Sequence, residues 1–254
     1  MPSCADAGRG SAGRWASLVA ALEGVERWLL PPSCLLCEAP VPVREGDALI
    51  CGLCRSRWAP VAPPWCDRCG QPLAAGLECR LCAVWPAGLA RVRSAVWLRD
   101  SARDAVHRLK YEGWWRAADA LAEAMRVLEP LTGGVSLIPV PLGARRQRRR
   151  GYNQSERIAA ALGRRMGLEV RPGMLSRSRE TPTQTALTPE ARLANVAGAF
   201  TGTPGVAGRI CVLVDDVFTT GATLAAAAAA LAGAGAARVE AVTFARAELP
   251  VRLA

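Results

Sequence analysis

From Val92 onward, stretches with apolar residues at helical spacing alternate with short, continuously apolar runs. The helical spacing predicts helices at residues 101–110, 115–128, 153–166 and 224–231, and the apolar runs predict strands at 135–139, 168–171, 198–200, 210–214 and 239–244. The run at 210–214 contains no polar residue, which is typical of a strand buried on both faces. This alternation predicts an α/β domain in which helices flank a mostly parallel sheet.

Two other segments have different patterns. Residues 177–195 are polar and show no periodicity, which predicts a long loop. Residues 15–30 place apolar side chains at helical spacing, but Glu23, Glu26 and Arg27 interrupt the apolar character that a signal peptide requires. We therefore expect a docking helix there and not an export signal.

The segment from Cys34 to Pro86 is dense in cysteine, proline, glycine and tryptophan. It shows few residues in helical or alternating periodicity, so it cannot build an ordinary hydrophobic core. The character of the sequence changes at residues 86–90. We expect three parts: an N-terminal helix and leader at 1–33, a cysteine module of two similar halves at 34–88, and the α/β domain at 89–254.

Eight of the ten cysteines form four Cys-x-x-Cys pairs: Cys34 with Cys37, Cys51 with Cys54, Cys66 with Cys69, and Cys79 with Cys82. Two such pairs can close a tetrahedral site of four thiolates, so the pattern predicts two structural zinc ions with no position left for substrate. Disulfides, an iron–sulfur cluster and redox-active pairs are alternatives, and zinc is favoured because cytosolic thiols stay reduced. Sequential pairing needs shorter loops than a crossed arrangement and is favoured.

Composition changes this picture less. The net charge of +10 favours an anionic partner, although Lys110 is the only lysine and the excess of arginine equally fits codon bias. No apolar run approaches the roughly 20 residues of a membrane-spanning helix. We therefore expect a cytoplasmic protein with no membrane span.

The most informative segment is residues 212–223, where a buried strand ends in Asp215 and Asp216 and a Thr/Gly turn opens a helix. Ligands of α/β sheets bind at the carboxyl ends of strands, and a helix N-terminus there offers free N–H groups to a phosphate. Carboxylates beside a phosphate suit sugar hydroxyls or a Mg²⁺ ion. The structural alternative is that the aspartates cap the helix and the threonines are ordinary turn residues.

This segment resembles the phosphoribosyl pyrophosphate motif of type I phosphoribosyltransferases. The resemblance implies their fold and a Mg²⁺ ion that accompanies the ligand. It implies that Asp215 and Asp216 are catalytic and meet the ribose hydroxyls. It also implies a 5′-phosphate site beside them, formed by Thr219, Thr220, Gly221, Ala222 and Thr223.

Three further motifs are similar to the signature of the ComF family: Ile-Pro-Val-Pro-Leu at 138–142, an arginine-rich stretch leading into Gly-Tyr-Asn-Gln at 151–154, and Thr-Pro-Thr-Gln at 181–184. With the cysteine pairs, the resemblance covers most of the chain between Cys34 and Phe244. It implies a link to DNA uptake in competence, and a pyrophosphate side formed by Val140, Leu142, Gly143, Arg145, Arg146, Gln184 and Arg192. Pro141 weakens the prediction of pyrophosphate binding relative to that of 5′-phosphate binding, because proline has no N–H to donate in this loop.

The arginine run has three interpretations: a pyrophosphate clamp, a nucleic-acid contact, or a solvated basic face. It comprises Arg145, Arg146, Arg148, Arg149 and Arg150. Two classes of function stay open, and they are not exclusive. One is a phosphoribosyltransferase that uses phosphoribosyl pyrophosphate, including an enzyme of nucleotide salvage. The other is a non-catalytic component of DNA uptake that senses the ligand or binds single-stranded DNA beside a competence-machinery protein.

Overall fold

The computed structural model describes residues 32–74, 77–179 and 189–248. The predicted helix at 15–30 and the candidate residue Gln184 lie outside these ranges, as do the side chains of Pro189, Glu190 and Arg192. The chain divides after Cys54 into two compact units. The first cysteine cluster belongs to the first unit, and the second cluster and the sheet belong to the second. The domain limits at 34–88 and 89–254 stay a prediction.

The second unit is built on a five-stranded sheet in the order β1-β7-β6-β2-β3, and every pair of neighbours in it is parallel. Its strands are β1 (Leu89–Trp97), β2 (Ser136–Pro139), β3 (Glu169–Val170), β6 (Ile210–Phe218) and β7 (Arg238–Arg246). Strands β4 (Leu175–Arg177) and β5 (Phe200–Gly202) form a separate antiparallel pair.

Helices cover this sheet and close the cysteine turns. The helices are α1 (Gly52–Ser56), α2 (Arg80–Ala83), α3 (Asp100–Tyr111), α4 (Ala118–Met125), α5 (Ala144–Arg150), α6 (Gln154–Met166), α7 (Pro189–Val196) and α8 (Ala222–Gly233). Single 3-10 turns lie at Val43–Glu45, Trp115–Ala117, Pro172–Met174 and Pro204–Val206. No helix among the described residues has the length and apolar character that crossing a membrane requires.

Strand β6 forms the centre of the core. The residues Cys211 to Val214 are fully buried, and the strand pairs with β2 on one side and β7 on the other. Helix α8 packs on this sheet with Ala225, Ala228 and Leu231 in the shared core. The small alanine side chains let the helix backbone approach the strands closely, because each occupies little more than the backbone itself.

Helix α6 shows how local sequence determines an element. The Asn153 side chain accepts a hydrogen bond from the Ser155 N–H at 3.0 Å and so caps the helix. Gly167 ends it in the left-handed region at φ 66°, where a side chain would be strained. Both boundaries agree with the prediction from sequence.

The predicted fold class is confirmed, as are the helices near 101–110, 153–166 and 224–231. Helix α7 shows that the predicted loop at 177–195 is wrong for its last part. Helix α5 and strand β1 have no clear pattern in the sequence, because arginines occupy the positions where periodic apolar residues would indicate an element. In β1 the buried Arg93 donates to the Asp67 carbonyl at 2.9 Å, a contact that only the folded chain supplies.

The two cysteine turns repeat each other. In the first unit the Glu38 N–H donates to the Cys34 carbonyl at 2.8 Å, and in the second the Gly70 N–H donates to the Cys66 carbonyl at 2.8 Å. Glu38 and Gly70 both adopt positive φ, which turns the chain back after each Cys-x-x-Cys pair. The predicted tandem of two similar halves is therefore confirmed.

Candidate functional site

The eight paired cysteines form two groups whose sulfur atoms all lie within 4.8 Å of one another: Cys34, Cys37, Cys51, Cys54 in the first, and Cys66, Cys69, Cys79, Cys82 in the second. Sulfur–sulfur distances of 3.5 to 3.8 Å within them are too long for a disulfide. A tetrahedral zinc ion with bonds of about 2.3 Å places its sulfurs about 3.8 Å apart. The clusters thus fit two structural zinc sites, in the sequential pairing.

Arginine side chains surround the second cluster. Arg246 is fully buried, and its guanidinium donates to the Cys69 carbonyl at 3.0 Å. Arg68 donates to the Cys82 carbonyl at 2.9 Å. Four thiolates on a Zn²⁺ ion carry net negative charge, so these two guanidinium groups are matched countercharges at the site.

The candidate phosphate site lies where β6 leaves the sheet. After Phe218 the chain makes a turn through Thr219 and Thr220 to Gly221, which adopts φ 77°, and α8 begins at the next residue. The first hydrogen bond of α8 runs from the Ala225 N–H to the Gly221 carbonyl at 2.8 Å. The N–H groups of the first turn therefore have no partner within the helix and are donors for an anion.

Strand β6 extends past the predicted end at residue 214, so the two aspartates lie within its last four residues, where side chains from two helices hold them. Ser155 donates to the Asp215 carboxylate at 2.7 Å, and Gln154 donates to Asp216 at 3.4 Å, both from the start of α6. The Lys110 ammonium, near the end of α3, forms an ion pair with Asp216. Asp216 is only 3% exposed, whereas Asp215 is partly exposed.

These contacts separate the pKa values of the two carboxyl groups. Burial, reinforced by the adjacent charge of Asp216, raises the pKa of Asp215 to about 7. Burial would also raise the pKa of Asp216, but the Lys110 ammonium outweighs it and lowers that pKa. The same ion pair raises the pKa of Lys110 against the effect of its burial. At neutral pH the site holds a Lys110–Asp216 ion pair beside a carboxyl that is near its midpoint.

Each residue of the segment 152–155 contacts a different part of the site. The Tyr152 hydroxyl donates to the Leu109 carbonyl on α3. The Asn153 amide donates to the Val140 carbonyl at 3.0 Å, which ties the start of α6 to the end of β2. Gln154 and Ser155 then bind the two aspartates. This segment therefore aligns β2, α3 and α6 around the end of β6.

The residues of the predicted pyrophosphate side are only partly brought together. The Val140 N–H donates to the Val214 carbonyl at 3.0 Å, so the loop after β2 lies beside β6 at the residue before Asp215. Gly143 is the N-cap residue of α5. Leu142 precedes it and is partly exposed, and Arg145 and Arg146 lie in the first turn of α5, exposed and partly exposed. Gln184 and the Arg192 side chain lie outside the described residues, and their part in the site stays a prediction.

Sequence reasoning missed Lys110, Gln154 and Ser155 as residues of the site. Lys110 did carry a signal, because it is the one lysine in a chain whose other basic residues are all arginine. A buried pair with Asp216 suits the compact ammonium group better than the planar guanidinium of arginine. Gln154 carried a signal as the last residue of the Gly-Tyr-Asn-Gln motif, whereas Ser155 carried none beyond its position after a helix cap.

The fold and this site define a phosphoribosyltransferase-type α/β protein that carries a double zinc ribbon. Residues 25–83 match the family model of the double zinc ribbon domain, and residues 149–249 match that of the phosphoribosyl transferase domain. The second match contains the whole of β6, the turn and α8. The first contains all eight paired cysteines.

Two of three curated relatives span more than four-fifths of the chain. DNA utilization protein YhgH of Escherichia coli is 34% identical over 83% of this chain and 95% of the relative. Competence protein ComFC of Bacillus subtilis is 28% identical over 84% of this chain and 94% of the relative. Competence protein F of Haemophilus influenzae is 38% identical over 35% of this chain and 40% of the relative. The chain belongs to the ComF family, together with YhgH and ComFC.

We expect two zinc ions in each purified chain, measured by plasma emission spectrometry. The variants Cys34→Ser and Cys66→Ser, each of which removes one thiolate from one cluster, should lower the content to about one ion, because three thiolates hold structural zinc far less tightly. A wild-type content near zero, or iron in place of zinc, would contradict the zinc assignment.

The pKa of Asp215 predicts a dependence of stability on pH. The folded chain holds the Asp215 proton more tightly than the unfolded chain, whose carboxyl keeps the ordinary value of 3.8, so this group's contribution to stability decreases as pH rises from about 4 to about 7. Relative to Asp215→Asn, the wild type should lose unfolding free energy between pH 5.5 and pH 7.5 in urea denaturation. The exposed Asp104→Asn is the control, and parallel pH profiles for wild type and Asp215→Asn would refute the shift.

Proposed function

We propose that the chain binds phosphoribosyl pyrophosphate, or a related ribose 5-phosphate, at the carboxyl end of β6 together with Mg²⁺. The observation that carries the proposal is the continuous order of a buried parallel strand, two aspartates, a glycine turn and a helix N-terminus, within the matched phosphoribosyl transferase domain. This order puts anion donors and sugar-hydroxyl acceptors within the nine residues 215–223.

The 5-phosphate would bind at the turn Thr219 to Thr223. Thr219 is exposed and Thr223 is partly exposed, so their hydroxyl groups can add to the backbone donors of the α8 N-terminus. The partial positive charge of the helix end favours a dianion there. Gly221 is required by the positive φ of the turn and by the Trp85 ring, which lies where a Cβ atom would be.

The ribose hydroxyls would meet Asp215, with Asp216 placing a second negative charge behind it. Carboxylate oxygens are also the donors that Mg²⁺ prefers, so the pair fits that ion as well as a sugar diol. When bound, Mg²⁺ neutralises the charge of a pyrophosphate group. The Lys110 ion pair occupies Asp216, and this leaves Asp215 as the carboxylate that contacts the ligand.

The pyrophosphate group would lie along the loop from Val140 to Gly143 and the start of α5, with Arg145, Arg146, Gln184 and Arg192 as the candidate polar contacts. The hydrogen bond between Val140 and Val214 supports this placement because it puts the loop at the same sheet edge as Asp215. Guanidinium groups suit a pyrophosphate through paired hydrogen bonds.

The biological context is proposed from the relatives. The Escherichia coli relative is named a DNA utilization protein, and the Bacillus subtilis and Haemophilus influenzae relatives are competence proteins. We place this chain in the cytoplasm, in the handling of DNA after uptake, beside a protein of the competence machinery. Either catalysis or ligand sensing would serve that role.

An assay for pyrophosphate release distinguishes these two. The protein is incubated with phosphoribosyl pyrophosphate, Mg²⁺ and a panel of nucleobases, and a transferase releases pyrophosphate with one acceptor. A sensor binds the ligand and releases none. Transfer from the ribose carbon passes through a cationic transition state, which the aspartate pair could stabilise by its charge.

Single-stranded DNA is a second candidate ligand, favoured by one surface. Tyr111, Trp114 and Trp115 are 61%, 44% and 45% exposed, although large aromatic side chains are usually buried. The Arg157 guanidinium lies 4.7 Å from the Trp115 ring centre, and that of Arg150 lies 5.5 Å from Tyr111. Aromatic rings stack on bases and arginines contact phosphates, which is the combination that single-stranded nucleic acid requires.

The direct test of the proposed site uses Asp215→Asn and ribose 5-phosphate in isothermal titration calorimetry with Mg²⁺. We expect the affinity to fall at least about tenfold, since a hydrogen bond to a charged group contributes about 1.5 to 3 kcal/mol. Asp104→Asn, which changes an exposed carboxylate on α3, should bind like the wild type. Equal affinity of Asp215→Asn and wild type would support the structural alternative, in which the aspartates only stabilise the turn.

The arginine run is tested with the triple variant Arg145→Gln, Arg148→Gln, Arg149→Gln. We expect weaker binding of phosphoribosyl pyrophosphate and unchanged binding of ribose 5-phosphate, because only the first ligand carries the group that these side chains would clamp. Single-stranded DNA is titrated in parallel at several salt concentrations. The alternative outcome is a change in the slope of log DNA affinity against log salt concentration, by about 0.7 for each lost phosphate contact, with unchanged affinity for both ribose phosphates. That outcome would identify the run as a nucleic-acid contact.

A further inference from the structure

The candidate phosphate turn is in direct contact with a residue of the second cysteine cluster. Trp85 follows Cys82 by three positions and is 6% exposed. Its indole N–H donates to the Thr220 carbonyl at 3.1 Å. A Cβ atom added to Gly221 would lie 2.1 Å from the Trp85 ring, so the ring fills the space beneath the turn.

The hydrogen bond determines how one peptide group of the turn is oriented. In a trans peptide the carbonyl and the N–H point in opposite directions, because the group is planar. Trp85 holds the Thr220 carbonyl toward the cysteine cluster, and it therefore directs the Gly221 N–H away from the cluster. That N–H belongs to the set of donors at the start of α8 that would bind a phosphate.

Two arginines hold this contact in place. Arg68 lies 5.6 Å from the centre of the Trp85 ring while it donates to the Cys82 carbonyl. Arg246 lies 4.1 Å from the centre of the Phe218 ring, directly before the turn, while it donates to the Cys69 carbonyl. Both sides of the turn are thus connected to the backbone of cluster cysteines.

We propose that Trp85 is a positioning residue for phosphate binding, through which the second cysteine cluster orders the turn 219–221. The inference rests on the proposed ribose-phosphate site. It adds that phosphate binding at this site depends on the second cysteine cluster. Metal at Cys66, Cys69, Cys79 and Cys82 then has a role in ligand binding as well as in folding. Loss of that metal releases Trp85 and, with it, the orientation of the Gly221 N–H.

Trp85→Phe is the primary variant because it removes the indole N–H and keeps an aromatic ring. Trp58→Phe is the matched control. Trp58 is buried to a similar degree and packs on Phe244 at 4.9 Å, and among the described residues its N–H has no hydrogen-bond partner. Both variants shrink a buried tryptophan of the same unit, and only the first one changes the turn.

Two measurements are made on the full chain. Calorimetry with ribose 5-phosphate should show affinity about fivefold or more weaker in Trp85→Phe, the effect of one hydrogen bond, and within about twofold of wild type in Trp58→Phe. The affinity for inorganic phosphate, measured by competition, should fall by the same factor in Trp85→Phe, because the lost hydrogen bond orients the donors that bind the phosphate group. Equal affinities in Trp85→Phe and wild type would overturn the proposal.

Hydrogen exchange without any ligand is the second measurement. The amide of Ala225, which is hydrogen-bonded to the Gly221 carbonyl at 2.8 Å, should exchange faster in Trp85→Phe than in wild type, and equally fast in Trp58→Phe and wild type. Unchanged exchange in Trp85→Phe rejects the positioning role. If wild type binds neither probe, the proposed function fails, and the exchange comparison still decides whether Trp85 orders the turn.

Cys66→Ser tests the metal. With one metal ion lost per chain, we expect the exchange of the Ala225 amide to increase and the affinity for ribose 5-phosphate to fall about tenfold or more. A folded Cys66→Ser that has lost the ion but retains wild-type affinity and exchange would refute the link to the cluster. If this variant does not fold, the comparison of Trp85→Phe with Trp58→Phe still tests whether Trp85 orders the turn 219–221.

Discussion

Two neighbouring carboxylates near the end of a buried strand destabilise the fold, because burial removes water from charged groups that also repel each other. The contacts around β6 offset this destabilisation. Asp216 is buried and can stay ionised only with a countercharge, which Lys110 supplies from the end of α3. From the start of α6, Ser155 donates to one oxygen of Asp215 and Gln154 donates to one oxygen of Asp216. The orientation of both helices is thus coupled to one pair of side chains, and the partly exposed Asp215 remains for a ligand.

A comparable constraint governs the cysteine module. A segment without a periodic apolar pattern has no core of its own, and four thiolates per cluster supply the missing cross-links. The second cluster is also continuous with the α/β core, through the ring of Trp85 and the buried Arg246. The end of the strand, the turn and this cluster therefore form one packed region, in which apolar and cationic side chains lie beneath the proposed ligand site.

This arrangement relates the parts of the proposed function to each other. A phosphate needs donors that are oriented before it binds, because ordering a flexible turn would cost affinity. In the proposed site the helix N-terminus would supply the donors, and Trp85, packed against Gly221, would supply their orientation. The exposed aromatic surface of Tyr111, Trp114 and Trp115 follows Lys110 directly in sequence, so a DNA-binding face and the ribose-phosphate site would share the end of α3.

The sequence by itself determined the fold class, both cysteine clusters and the strand–turn–helix segment at 212–223, because apolar periodicity, Cys-x-x-Cys spacing and glycine turns act over a few residues. It did not show that Lys110 pairs with Asp216, that Ser155 binds Asp215, or that Trp85 contacts Thr220. These partners are far apart along the chain, and only sheet order and helix packing bring them together. Helix α5 and strand β1 also escaped prediction, since their arginines hide the apolar pattern and find their partners only in the folded chain.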